Sequence, residues 1–290
     1  MRSSLFQPLI LVVLALCFSP ATGVGQESGI TRIMHPWGNC KPGAWKLVRV
    51  VTETLDDHQQ VIHSSITETK TTLTDIAEDC VTLEVKAVVE LAGKQFETEP
   101  QLVRQGFHGE PAGQDLKIRA LTSCEVVIEG QTIPCRAERL EQVGPVSKTT
   151  TTIFYSDAVP PYILKRNSLT TDLERNSVLS EMTMEVMALN MPTEVLNKIR
   201  CTAHVKTVQK RPGGSILTLA VVSNEVPGGV VSHTSKELDA QGNLVRRSVL
   251  KLLSFSFEPE DGRVGLFGRK RPNRFRNKSM SHFAPPVTPN

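Results

Sequence analysis

The sequence predicts an all-β protein with at most minor helix, a curved antiparallel meander or half-barrel with an internal duplication of about 66 residues. Three observations carry this. The first is alternation. Val81, Leu83, Val85, Ala87, Val89 and Leu91 alternate with Thr82, Glu84, Lys86 and Glu90, and only Val88 breaks the phase. Met182, Met184, Val186 and Ala188 alternate with Thr183 and Glu185. A period of two puts one face of a strand in a core and the other in water. The second is regular punctuation by turn residues: Asp56-Asp57, Glu78-Asp79, Ala92-Gly93, Glu129-Gly130, Pro212-Gly213-Gly214, Pro227-Gly228-Gly229 and Gln241-Gly242-Asn243. Strands at this spacing, joined by short turns, form an antiparallel meander. The third is a segment that occurs twice. Cys135 precedes the run Tyr155–Pro160, and Cys201 precedes Ser223–Pro227, with offsets of 66 residues between the cysteines and 67 between the prolines.

The elements follow in chain order. Arg2, the apolar run Leu9–Phe18 and the small residues that follow make residues 1–25 a secretory signal peptide, cleaved near residues 21–25. The run is shorter than the roughly 20 residues a membrane span needs. Cys17 invites a lipoprotein reading, but Leu16 stands where such sites want a small residue. The mature chain is therefore expected to be periplasmic or extracellular. Residues 31–110 form an N-terminal set of about four strands, with the Thr-rich run Ile66–Thr74 favouring strand. Gly106–Asp115 reads as a linker. Residues 116–257 carry the two repeat units, 124–190 and 191–257. Pro192–Arg200 could make two helical turns, but its place in the repeat favours strand for its second half. Residues 258–290 hold five prolines and few apolar side chains, the composition of a disordered tail.

Charge is uneven. The chain carries +3 overall, yet residues 263–290 contain seven basic residues and no acidic one, so a mildly acidic body bears a basic tail. Arg269, Lys270, Arg271, Arg274, Arg276 and Lys278 could grip an anionic envelope surface, or could simply be solvated. An export signal argues against a specific nucleic-acid partner.

Six cysteines become five once Cys17 leaves with the signal, an odd number in an oxidising compartment. Cys124 and Cys135 are the first candidate disulfide. A two-residue turn at Glu129-Gly130 sets them directly opposite each other, close enough to bridge. Cys40 with Cys80 is a weaker pairing, and Cys201 is the candidate free thiol.

The run Tyr155-Ser156-Asp157-Ala158-Val159-Pro160, followed by a strand, resembles an element of periplasmic proteins of the lipoprotein-carrier (lipoprotein-localisation factor) type. Asn224–Gly229 looks like a second instance. Trp37–Thr54 resembles the first strand of exported bacterial proteins with no assigned function. The carrier resemblance implies an open, strongly curved antiparallel sheet whose concave side holds acyl chains. This chain departs from that pattern in duplicating the element and in offering no clear helical lid.

Catalytic signatures are missing. There is no Gly-x-Ser-x-Gly elbow, His-Glu-x-x-His helix, phosphate-binding loop, dinucleotide fingerprint or Cys-x-x-Cys, so neither an enzyme nor a cofactor is expected. His58 and His63, with Asp56 and Asp57, could meet a metal at a hairpin mouth, but solvated turn polarity is the favoured reading and no metal site is expected. His35, Cys40 and His108 could form a Cys-His nucleophile pair only if the fold gathers them. Trp37 and Trp45 suit either an aromatic platform or the core. The methionines at 182, 184, 187 and 191 suit an adaptable apolar site. On a curved sheet Val178, Met182, Met184 and Val186 would share a face and line a cavity for a lipid-like or amphipathic ligand. The readings left open are an exported binding module, a structural or interaction protein acting through its tail, and a hydrolase whose site is assembled from distant residues.

Overall fold

The computed structural model describes residues 29–113 and 115–259. The expected signal peptide, and the tail residues Arg269, Lys270, Arg271, Arg274, Arg276 and Lys278, lie outside the described residues. Arg32–Met34 make a short 3₁₀ turn. Fifteen strands follow among the described residues: β1 (Trp45–Leu55), β2 (Val61–Ile76), β3 (Cys80–Leu91), β4 (Lys94–Glu97), β5 (Gln101–Gly106), β6 (Leu116–Ala120), β7 (Cys124–Ile128), β8 (Gln131–Val143), β9 (Ser147–Tyr155), β10 (Ile163–Asp172), β11 (Val178–Val195), β12 (Lys198–Arg211), β13 (Gly214–Val222), β14 (Val230–Asp239) and β15 (Leu244–Ser256). No α-helix occurs among them. Among the described residues no helix is long and apolar enough to cross a membrane.

The strands form one antiparallel sheet in the order β4-β3-β2-β1-β15-β14-β13-β12-β11-β10-β9-β8-β6, with β5 on β3 and β7 on β8. The long-range closure is β1 with β15, from Trp45 opposite Ser256 to Thr54 opposite Arg246. Residues 31–110 and 116–257 thus share a single sheet.

Turn chemistry sets the hairpins. Ala92-Gly93, Glu129-Gly130 and Leu196-Asn197 all have positive φ at both positions, the two-residue turn that matches strand twist. Longer turns use an aspartate. The Oδ1 atoms of Asp56, Asp172 and Asp239 accept backbone N–H groups from His58 and Gln60, Glu174 and Arg175, and Gln241 and Asn243. The segments Ser156–Tyr162 and Ser223–Gly229 share one pattern. The N–H of Ser156 donates to Tyr162 O and that of Tyr162 to Val159 O; the N–H of Ser223 donates to Gly229 O and that of Gly229 to Val226 O. Pro134 and Pro192 lie where β8 and β11 extend beyond one neighbour and pair only with β7 and β12, so no ladder donor is missed. Pro192–Val195 is strand, not helix.

Paired residues on neighbouring strands share a face. A row therefore runs Val50, Leu250, His233, Ala220, Val205, Val186. A second runs Met184, Arg166, Ile153, Glu138 on the same side. This is the inner, concave face. Leu83 near one edge of the sheet and Leu140 near the other belong to one buried cluster, which requires the sheet to curl toward that side. Three apolar clusters fill one end of the concavity. Ile30, Met34, Trp37 and Phe107 cover Leu73, Leu83, Ile153 and Tyr155. Ile128 and Ile133, at the tip of the β7–β8 hairpin, cover Leu164, Val186 and Val205. Val195, at the tip of the β11–β12 hairpin, meets Val48, Val231 and Leu252. Each fully buried side chain of this size is worth about 1.5–3 kcal/mol.

Candidate functional site

The inner face is apolar and filled at one end, and hydroxyl-rich and half-buried at the other. Thr149 meets Thr170 at 3.0 Å, Thr151 meets Ser168 at 2.9 Å, Thr218 meets Ser235 at 3.1 Å, and Gln209 Nε2 donates to Ser180 Oγ at 3.2 Å. The four residues expected to line a cavity fall into three settings. Met182 and Met184 lie on the inner face, opposite Ser168 and Arg166, and are half-buried. Val186 shares their face but is only 5% exposed, sealed beneath the β7–β8 hairpin. Val178 is on the other face. A register shift between Thr170 and Thr171 breaks the alternation, so Val178 pairs with Thr171 and is 46% exposed.

Next to the methionines lies a cavity of about 150 Å³, at the seam where the β5–β6 loop crosses the inner face. His108, Glu110 and Pro111 form its loop side, and Leu140, Ile153 and Arg166 its sheet side. His108 Nε2 is 3.2 Å from Glu138 Oε2, with both side chains buried. Its Nδ1 is 3.9 Å from Glu110 Oε1, an ion pair longer than a hydrogen bond. Glu138 Oε1 accepts the Tyr155 hydroxyl at 3.2 Å and the Gly29 N–H at 2.6 Å. Arg166 Nη2 donates to the carbonyl of His108. Glu110 Oε2 and Arg166 Nε are buried and have no protein partner.

The electrostatics follow from these neighbours. Burial opposes charge on His108, but Glu110 and Glu138 outweigh it and push its pKa up to about 9. Burial likewise disfavours charge on Glu138, yet His108, the Gly29 N–H and Tyr155 bring its pKa below the usual carboxylate value. Burial pulls His35 down to about 4. At neutral pH the seam therefore holds a charged His108 and a neutral His35.

The fold brings His35 and His108 to the same region. The His35 ring lies 6.1 Å from Phe107, and Glu110 acts electrostatically on both histidines. Cys40 instead sits in an apolar cluster, where burial raises its thiol to about 11, a poor nucleophile. Cys124 stands directly opposite Cys135, in the expected register. The two thiols are unbonded here. Cys135 Sγ approaches Ile133 O at 3.2 Å and Cys124 Sγ approaches Cys135 O at 3.8 Å. Cys40 and Cys80 are buried free thiols and Cys201 is exposed. Asp56 is committed to its turn, and among the described residues no group of three or more His, Cys, Asp or Glu could hold a metal. Trp37 and Trp45 are buried, with Lys46 Nζ 5.6 Å above the first ring and Lys70 Nζ 4.9 Å above the second. Gly228, at φ 68°, packs so closely on Trp37 that a Cβ would lie 2.8 Å from its ring.

The seam cluster was not read from the sequence. Its only signal is that Glu138 lies in phase with Leu140 on β8, a charge at an inward position.

No model of a known protein family matches the chain, and no curated protein matches it. Two solved structures align with 74% of this chain and 97% of their own. One is a proposed exported protein with a YmcC-like fold from Bacteroides fragilis NCTC 9343, at 9% identity and a TM-score of 0.30. The other is a proposed lipoprotein from Parabacteroides distasonis ATCC 8503, at 11% identity and 0.32. At these scores neither likeness decides what this chain does.

Proposed function

We propose that the chain is an exported, non-enzymatic binding module of the cell envelope, periplasmic or extracellular once residues 1–25 are removed, holding an amphipathic ligand on the open half of its inner face. One observation carries the reading. That half combines the apolar side chain of Met182, and that of Met184 at its border with the filled cluster, with rows of Thr and Ser hydroxyls, a surface suited to a ligand with both apolar and polar parts. It is less suited to bare acyl chains, the ligand of the carrier type. The shared hydrogen bonding of Ser156–Tyr162 and Ser223–Gly229 supports a duplicated unit as the origin of the scaffold. The seven basic residues of 263–290 support contact with an anionic envelope surface, which sedimentation with anionic vesicles would test. The deciding experiment is native mass spectrometry of residues 26–290 purified after export, followed by solvent extraction. A lipid-sized adduct that disappears in Met182→Glu is expected. A clean apo mass from the wild-type protein overturns the reading.

A further inference from the structure

The seam cavity carries two unmet demands of opposite sign. Glu110 Oε2 is a buried acceptor and Arg166 Nε a buried donor, and neither has a protein partner. A buried polar atom left unpaired is costly, so two on the walls of one cavity mark a place where something polar binds. The other charges at the seam are already matched, since His108 faces Glu138 at 3.2 Å. With His108 and Arg166 set against Glu110 and Glu138, the cavity favours neither a net cation nor a net anion. It favours a group that presents both poles.

We propose that the seam cavity receives a zwitterionic head group, its ammonium against Glu110 and its phosphate or carboxylate against Arg166, and that this group belongs to the amphipathic ligand of the inner face. The inference rests on the reading of that face as a ligand platform. Size agrees: about 150 Å³ accommodates a head group but not the apolar part of an amphiphile. Continuity agrees as well. Arg166 pairs across the strands with Met184, and Ser168 with Met182. Directly opposed side chains stand about 5 Å apart, so an apolar chain leaving the cavity past Arg166 meets the two methionines next. Leu116, Leu140 and Ile153 supply apolar wall around the head, and Gln142, Thr149 and Thr151 supply further hydrogen-bonding groups.

The test is calorimetric titration of the mature chain with three probes: a short-chain phosphatidylethanolamine, a short-chain phosphatidylglycerol of the same chain length, and free glycerophosphoethanolamine, a phosphodiester with the same charges as the lipid head group. Phosphatidylethanolamine should bind more tightly than phosphatidylglycerol. Glu110→Gln, checked for an unchanged circular dichroism spectrum, should weaken phosphatidylethanolamine by roughly tenfold or more, the worth of one charge-assisted hydrogen bond. If free glycerophosphoethanolamine binds as tightly as the lipid and is equally sensitive to Glu110→Gln, the zwitterion stands, its source is a soluble molecule, and its assignment to the inner-face ligand is overturned. Equal binding of the two lipids by the wild-type chain, a comparison that needs no variant, overturns the head-group assignment and leaves the inner-face reading intact. Binding of none of the three overturns the assignment. The adduct experiment on the exported protein then decides separately whether the inner face holds another ligand.

Discussion

His108 Nε2 lies 3.2 Å from Glu138 Oε2, and through that contact the loop between β5 and β6 is pinned to β8. Stability should follow these titrations. The His108 pKa rises from 6.5 to about 9 on folding, so its contribution is fully present below pH 6.5 and is lost as the pH rises toward 9. The His35 pKa falls from 6.5 to about 4, so the unfolded chain takes up a proton first and stability drops as the pH falls across that window. The lowered Glu138 pKa adds a further loss below pH 4.5. Thermal unfolding between pH 4 and 10 should show its highest Tm near pH 6.5. A Tm that climbs steadily from pH 7 to 9 would refute the assignment.

Removing the carboxylate from this pair should be costly. Glu138→Ala strips the acceptor from His108, Tyr155 and the Gly29 N–H together. Breaking a buried pair on one side costs about 3–5 kcal/mol. Urea unfolding should show the midpoint falling accordingly, and a loss under about 1 kcal/mol would mean the pair is solvated.

The filled and open halves of the inner face should respond differently to charge. Val186→Asp places a carboxylate under the β7–β8 hairpin and should abolish cooperative unfolding. Met182→Glu, two strand steps before Met184 on the half-buried part of the face, should change stability by about 1 kcal/mol or less. Equal damage from both substitutions would show that the whole face is packed.

The opposed thiols of β7 and β8 should close in an oxidising compartment. Alkylation of the exported protein without reduction, followed by peptide mapping, should recover Cys124 linked to Cys135 and Cys201 alkylated. A loop this short gains about 2–3 kcal/mol from the bond, which reductant should remove. Alkylation of both Cys124 and Cys135 before reduction would exclude the bridge.

Leu196 sits at φ 50° in the β11–β12 turn, a conformation that costs a side-chain-bearing residue about 1–2 kcal/mol. Leu196→Gly relieves it at the expense of some chain entropy and should stabilise by about 0.5–1 kcal/mol in chemical denaturation. A destabilised variant would show that the Leu196 side chain contributes packing that outweighs the strain.

Much of the sheet was legible because its signals are local. Gly and Asp at Asp56, Gly93, Gly130 and Asp239 announce turns, and Val81 to Leu91 announces a strand, within a few residues of sequence. The Cys124–Cys135 register followed from one two-residue turn. The position of Val178 was not legible, since the shift at Thr170–Thr171 that moves it to the other face depends on its pairing with β10. Nor was the seam. His108 is 30 residues from Glu138 and 58 from Arg166, and only the curl of the sheet brings them together.

The pairing of β1 with β15 has a kinetic side. β1 can bond to β2 as soon as both exist, but its second edge stays open until residues 244–256 arrive. Until then the chain is two meanders with exposed backbone on facing rims, the form most prone to pair with a neighbour. Folding must wait for a zipper between the two ends of the sequence, and contacts of such separation form slowly. A chain shortened before Leu244 should collect in aggregates rather than fold as a smaller version of the whole. Once the zipper is shut, unravelling has to start from the outer rims at β4 and β6 or tear the sheet at its longest-range joint.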